Sequence, residues 1–252
     1  MKYARARFGG EEFYALVEGD TLVRLLDRPF DGARPDGRRY PLSGAKLLAP
    51  CEPTKIVCVG KNYWAHAEEM KEGHPAEPLL FLKPSTCVVG HEDEVVYPKL
   101  SQRLDYEGEL GVVIGCRAHC VAPGTARDYI FGYTCLNDVT ARDIQKGDPQ
   151  WTRGKGFDTF CPIGPWIETE LDAGNVCLQT RLNGETRQAS STALMTHDVD
   201  KLVCYMSACM TLLPGDVIAT GTPEGIGPMR AGDVVEVEIE GIGVLLNRIA
   251  AE

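Results

Sequence analysis

The stretch Leu104-Asp105-Tyr106-Glu107-Gly108-Glu109-Leu110, running on to Ile114, makes two opposing demands on any fold. From Leu110 to Ile114 it is apolar on both faces, which is how a strand covered on both sides reads. Read with a period of two, its first half places Glu107 and Glu109 on one face, with Asp105 beside them. Tyr106 then points the other way. Neighbouring carboxylates on a covered strand repel one another and lose hydration, so they need a counter-charge. A hard divalent cation held by oxygen ligands supplies one. An edge strand with a solvated acidic face needs none, and on this stretch alone the two readings are equal.

The 252 residues suffice for a full core, as one large domain or a large one with a small appendage. With 26 Lys+Arg against 36 Asp+Glu the formal charge is −10, which argues against nucleic acid or an anionic membrane as the main partner. The start, Met-Lys-Tyr-Ala-Arg-Ala-Arg-Phe, has no apolar signal core and no stretch approaches a membrane span, so a cytoplasmic protein is expected. Ten cysteines are scattered, with Cys58, Cys135, Cys161 and Cys177 in apolar strand-like runs. They read as reduced, buried thiols. Cys116-Arg-Ala-His119-Cys120 packs three metal-capable residues into a turn, but without a downstream pair it matches no common zinc spacing and reads as structural.

Residues 1 to about 30 read as a β-meander, with Tyr3–Phe8 and Phe13–Val17 flanking Gly9-Gly10 and Thr21–Leu26 following Glu18-Gly19-Asp20. Pro29 to Tyr40, rich in Gly, Pro and Arg, reads as a polar connection to Lys46–Pro50. This divides the chain into an N-terminal β appendage, residues 1–50, and a main domain, residues 51–252. In the main domain Lys55–Gly60 is an apolar strand, and Lys61–Met70 suits a helix ending near Gly73. Leu79–Lys83 is another strand, Asp128–Leu136 a strand delivering Asn137-Asp138, and Thr140–Gln145 a short capped helix. Leu202, Val203, Met206, Met210 and Leu213 recur at helical intervals within Asp200–Leu213. Val235, Val237 and Ile239 alternate with Glu236, Glu238 and Glu240, and Gly241-Ile242-Gly243 turns that strand back into Val244–Ile249. Strands outnumber helices without regular alternation, so an α+β, mainly β fold is expected rather than a doubly wound sheet.

Four constellations could carry chemistry. Glu107, Glu109 and Asp138 offer only oxygen donors, which suits Mg²⁺, Mn²⁺ or Ca²⁺ rather than zinc; Asp138 by itself also suits an Asx turn or a helix cap. His66 and Glu69, at i and i+3, share a helix face, and a carboxylate on an imidazole fixes its tautomer and raises its basicity. Such pairs also arise on helix surfaces by chance. Arg142 and Gln145, again at i and i+3, with Lys155 following, could stabilise a developing oxyanion or be ordinary surface groups. Gly221-Thr222-Pro223-Glu224-Gly225-Ile226-Gly227 lacks the Walker lysine and the dinucleotide spacing. Its amides and Thr222 hydroxyl could hold a small carboxylate, or it could be a plain turn.

Taken in order, several motifs resemble the fumarylacetoacetate hydrolase family over roughly residues 51 to 249. They are Val59-Gly-Lys-Asn-Tyr63, Phe81-Leu-Lys-Pro-Ser85, Asp105-Tyr-Glu-Gly-Glu-Leu110 and Asn137-Asp-Val-Thr-Ala-Arg-Asp-Ile-Gln145. Lys155-Gly-Phe-Asp-Thr-Phe-Cys-Pro162, Leu182-Asn-Gly-Glu185 and Thr220-Gly-Thr-Pro-Glu-Gly-Ile-Gly227 complete the series. Residues 1–50 carry little of this likeness and resemble the short N-terminal β domain of some longer members. The resemblance implies a mixed β-sandwich roll, a homodimer, and Mg²⁺ or Mn²⁺ on Glu107, Glu109 and Asp138. It places Lys155, Arg142 and Gln145 around the substrate oxygens and Thr222 on the substrate carboxylate. Lys61 stands at a carboxylate-binding position where relatives often carry arginine. His66 and Glu69 match the water-activating dyad of hydrolytic members, on a lid that orders with substrate. Here the lid would be residues 59–73, bearing Trp64, His66, Glu69 and Met70, followed by Glu72 to Pro78.

The chemistry so implied starts from a small 2-oxo or 1,3-diketo acid held at the cation, which acts as a Lewis acid. If His66 activates a water, the product is C–C bond hydrolysis of the acylpyruvase or fumarylpyruvase type. Without a placed water, the same polarisation serves an isomerase, tautomerase or decarboxylase of hydroxymuconate-type or oxaloacetate-like acids. A binding module without turnover is a third reading, which the intact acid, base and donor positions oppose.

Overall fold

The computed structural model describes residues 1–69, 73 and 75–252. Met70, Glu72 and His74, which fall in the expected lid and its tail, lie outside the described residues. The fold is α+β and mainly β, as expected. Among the described residues the strands form a 12-stranded, a five-stranded and a three-stranded sheet. In the large sheet the apolar strand Gly108–Ile114 sits between Ile130–Asn137 and Val217–Ala219. Beyond Val217–Ala219 come Ile56–Gly60, in parallel pairing, and then Leu79–Lys83. Leu110 and Val112 join a core with Leu178, Val237 and Leu245 of the five-stranded sheet, while Val113 joins a second core with Leu136, Ile163 and Val235. The central strand is therefore covered on both faces, as its unbroken apolar run requires.

The acidic stretch is not one continuous strand. Leu104–Tyr106 belongs to the three-stranded sheet, with Thr140–Ala141 and Gly227–Met229, whereas Gly108–Ile114 belongs to the large one. Side chains supply the hydrogen bonds that a continuous ladder would have given at the crossing. Asn137 Oδ1 accepts from Glu107 N at 2.9 Å, and Gln188 Oε1 accepts from Gly108 N at 3.0 Å. Glycine is required at 108 because a Cβ there would run into the Thr180 hydroxyl.

Other elements differ from expectation in instructive ways. Pro35–Pro41 is a strand on the outer edge of the large sheet, where mostly exposed side chains need no apolar alternation. Thr140 does not cap a helix. It pairs with Asp105, its hydroxyl donates to Asp138 O, and the helix α2 spans Arg142–Gly147. The other helices are α1 (Trp64–Glu69), α3 (Thr152–Lys155) and α4 (Val199–Cys209). Asp198 caps α4 by accepting from Lys201 N at 2.8 Å, and the helix stops four residues before the expected end at Leu213. All ten cysteines are free thiols, but Cys177 is exposed, because its strand turns Leu178 rather than Cys177 toward the core. None of the described helices is long and apolar enough to cross a membrane.

The N-terminal meander continues the large sheet. Lys2–Phe8 pairs antiparallel with Cys161–Glu168 through Lys2↔Glu168 and Tyr3↔Ile167, and Trp166 packs against the small core of Ala4, Phe13 and Leu22. Deleting residues 1–50 would open a sheet edge and bare the Trp166 side chain, a recognised route to aggregation. The variant is expected to lose solubility and melt at lower temperature while its soluble fraction keeps the wild-type affinity for Mn²⁺. A stable, soluble deletion variant that had lost metal affinity would contradict this.

Candidate metal centre and active-site cleft

The antiparallel pairing Gly108↔Asn137 sets the end of one strand beside the start of the next, and so places Asp138 opposite Glu107. Glu109 follows on the same strand as Gly108. One carboxylate oxygen from each of Glu107, Glu109 and Asp138 lies within 4.8 Å of the others. The three residues are only 5%, 1% and 1% exposed, so the acidic face is not solvated and the carboxylates need a counter-charge.

Buried cations supply it. Lys155 Nζ on α3 donates to Glu107 Oε2 at 2.7 Å and to Asp138 Oδ2 at 2.6 Å. Arg142, at the start of α2, pairs with Glu107, donates to Asp105 Oδ2 at 2.8 Å and to Gln145 Oε1 at 2.9 Å. Burial pushes the Glu107 carboxyl up, but Lys155 and then Arg142 outweigh it and hold the group well below the usual carboxylate range. Glu109 goes the other way. Burial first, then the charges of Asp138 and Glu107, push it well above that range, although Gly221 N donates to its Oε2 at 2.8 Å.

The donor set fits a hard divalent cation. Three converging buried carboxylates with neither sulfur nor imidazole among them match Mg²⁺ or Mn²⁺. Burial and then the charges of Asp138 and Glu107 oppose ionisation of Glu109, and a bound cation would relieve that repulsion.

These acids form the floor of a cleft of about 230 Å³ whose wall includes His66, Lys61, Gln145 and Thr222. His66 Nδ1 lies 3.3 Å from Glu69 Oε2, so the expected dyad is in contact. Glu69 also accepts from Gly225 N at 3.2 Å, and Gly225 O accepts from the Tyr106 hydroxyl at 2.9 Å. Tyr106, read from the sequence only as the residue facing away, thus braces the loop on which the dyad rests. The Thr222 hydroxyl donates to Gly108 O at 2.9 Å and accepts from Gln188 at 2.8 Å, so its proton is engaged within the protein. Lys61 takes a left-handed backbone, φ 58°, uncommon for a residue with a side chain.

Lys83, within the Phe81–Ser85 motif, is a residue of the site that the sequence reading does not mark. Fully buried at the end of an apolar strand, it donates to Asp138 Oδ1 at 2.5 Å and to Val139 O at 3.1 Å. Burial pulls the Lys83 ammonium down, but Asp138 overrides this and raises it above its ordinary value. A lysine closing an otherwise apolar strand, Leu79-Leu-Phe-Leu-Lys83, was the available signal. His119 and Cys120 touch, with Sγ 3.6 Å from Nε2, yet among the described residues only the carboxylate trio forms a metal-capable group.

The family model described as fumarylacetoacetate (FAA) hydrolase, C-terminal, matches residues 55–250, and one described as Rv2993c-like, N-terminal, matches residues 1–50. The chain is 41% identical over 247 residues to the mitochondrial oxaloacetate tautomerase FAHD2A of Bos taurus, covering 93% of this chain and 78% of that one. It is similar to the crystal structure of 5-carboxymethyl-2-hydroxymuconate delta-isomerase from Mycobacterium smegmatis, with 44% identity, a TM-score of 0.95 and 100% of each chain covered. It is also similar to maleylpyruvate hydrolase from Sphingobium sp. SYK-6 in complex with manganese(II) ion and pyruvate. That likeness has 30% identity and a TM-score of 0.83, covering 100% of this chain and 99% of that one.

The Glu109→Gln variant keeps the side-chain shape but removes a charge, and is expected to weaken Mn²⁺ binding at least about 100-fold, the upper end for lost outer-shell partners. Because the cation needs the carboxylate form, wild-type affinity should rise with pH as Glu109 gives up its raised proton. Without metal the sign is opposite for folding. The group's protonated form contributes stability below its unfolded pKa, and this is lost as pH rises through the folded one. Calorimetric titration with Mn²⁺ across pH checks the affinities and thermal melting of the metal-free protein across pH checks the folding sign; pH-independent affinity equal in the two proteins would refute the assignment.

Proposed function

The chain belongs to the fumarylacetoacetate hydrolase family, and on that premise we propose that it is a divalent-metal-dependent C–C bond hydrolase of 2,4-diketo acids of the acylpyruvate or fumarylpyruvate type. The observation that carries this reading is the His66–Glu69 contact on the wall of the cleft whose floor holds the carboxylate trio. Glu107, Glu109 and Asp138 would hold Mg²⁺ or Mn²⁺, which would supply Lewis-acid chemistry at the 2-oxo group.

The protein's own residues do the rest. With Nδ1 of His66 directed at Glu69, Nε2 is the nitrogen that takes a proton from water, and Glu69 stabilises the imidazolium that forms. The resulting hydroxide adds to the distal ketone. The bond between that carbon and the methylene then breaks, giving a carboxylic acid and, once the methylene carbon takes up a proton, a 2-oxo acid. Lys155 and Arg142 place positive charge beside the acids where negative charge develops on the substrate. Phe81 and Trp151, with rings 5.3 Å apart, wall the cleft with apolar surface that suits a flat conjugated chain.

A second reading is supported by the relatives named a tautomerase and an isomerase, which are more similar to this chain than the hydrolase is. In it the site only moves protons at the carbon beside the ketone, as for a 2-oxo or 2-hydroxy-unsaturated dicarboxylic acid, or serves decarboxylation. His66→Ala separates the two. The variant should bind Mn²⁺ normally and lose acylpyruvate hydrolysis by about two to four orders of magnitude, the usual contribution of a general base. Hydrolysis at the wild-type rate in this variant would replace the hydrolase reading with the second one.

A further inference from the structure

We propose that Lys146 selects substrates that carry a second carboxylate, by pairing with the carboxylate remote from the 2-oxo group. This rests on the 2-oxo acid reading above and adds the feature that would sort one such acid from another.

The basis is the charge left over in the cleft. Four cationic and four acidic side chains line it, in a protein whose overall charge is −10. Of the floor acids, Glu107 is matched by Arg142 and Lys155 and Asp138 by Lys155 and Lys83, while Glu109, held by Gly221 N, is the one a bound cation would match. The wall acid Asp148 is matched too, since Arg153 donates to it at 2.6 and 2.7 Å. Lys146 faces the same cleft and makes no hydrogen bond or ion pair with any described residue.

Its place along α2 gives the leftover charge a direction. Arg142 is buried against Glu107, Gln145 is half-buried one turn later, and Lys146 is exposed at the mouth. A substrate whose 2-oxo end lies over the acids would extend along this helix toward Lys146. Another part of the lining suits an extended chain. Trp151 lies so close to Gly60 that a Cβ there would come within 2.6 Å of its ring. Gly60 and the Trp151 ring give this part of the lining an apolar surface, and Lys146 is the exposed cation on α2 beyond the buried Arg142.

Two acids of equal length test this, 2-oxoglutarate and 2-oxopentanoate, which differ in the distal carboxylate. Binding of each to the Mn²⁺-loaded protein is measured by calorimetry, so the result does not depend on turnover. Wild type should prefer the dicarboxylate by about two- to fivefold, the scale of a partly exposed ion pair. Lys146→Met should erase that preference, Lys146→Glu should invert it, and added salt should narrow it. The proposal falls if wild type binds the two acids equally, if it binds neither, or if the preference survives in Lys146→Met. Failure of the C–C hydrolase reading would look different, with the preference intact and no cleavage of any diketo acid.

Discussion

Three carboxylates buried within 4.8 Å of one another are the constraint on which the molecule depends. Stripping an ionised carboxylate of water costs several kcal/mol even after relaxation, and like charges at this separation add to that. The fold meets the cost from three directions, with Lys155 on α3, Arg142 on α2 and Lys83 at the end of a strand. The compensation is uneven. Glu107 is stabilised as an anion, whereas Glu109 meets two acids and one amide donor and is pushed toward its neutral form. A site arranged in this way is most strained at Glu109, and a cation of two charges is the partner that would let all three acids ionise together.

Holding the acids in place explains several odd features of the scaffold. The chain must leave one sheet and enter another between Tyr106 and Gly108, because a continuous strand would carry its acids along a single ladder. The crossing puts Glu107 between Lys155 and Arg142 instead. Asn137 and Gln188 take over the hydrogen bonds lost there, and the Gln188 side chain also donates to Thr222. The carboxylate floor and the glycine-rich loop are thus tied by the same amide, so neither shifts alone. Asn62 does similar work below α1. Its side chain donates to His197 O and Thr220 O and accepts from His197 N, fixing the base of the helix that bears the dyad.

Much of this was legible because its cause is local. The unbroken apolar run Leu110–Ile114 announces a strand covered on both faces, and the i, i+3 spacing of His66 and Glu69 announces a contact. Alternation in Val235, Val237 and Ile239 marks one face of a sheet. What escaped depends on distant partners. Pro35–Pro41 is a strand only because Thr21–Leu25 offers it an edge, and its own composition reads as a polar connection. Lys83 has no motif of its own, and its importance comes from Asp138, 55 residues away. Thr140 reads as a cap because the sequence does not reveal that Asp105 waits across a ladder. Pairings of this kind are decided by the closing of long loops, which no window of residues contains.

On the function proposed above, the choice between cleaving a carbon–carbon bond and only moving a proton falls to α1, away from the carboxylates. Both chemistries ask the same thing of the floor, and the lining cations serve either. In that proposal it is water addition that needs His66 at a fixed place. A helix of six residues is too short to stand alone, so the position of that histidine is set by tertiary contacts. Glu69 is held by Gly225 N, Gly225 O by Tyr106, and the start of the segment by Asn62. Tyr106 adjoins Glu107 in sequence, so the strand that positions an acid of the floor also positions the support of the base. Related sites could keep one floor and change reaction by loosening this support alone, which is a physical route to hydrolase, isomerase and tautomerase members on one fold.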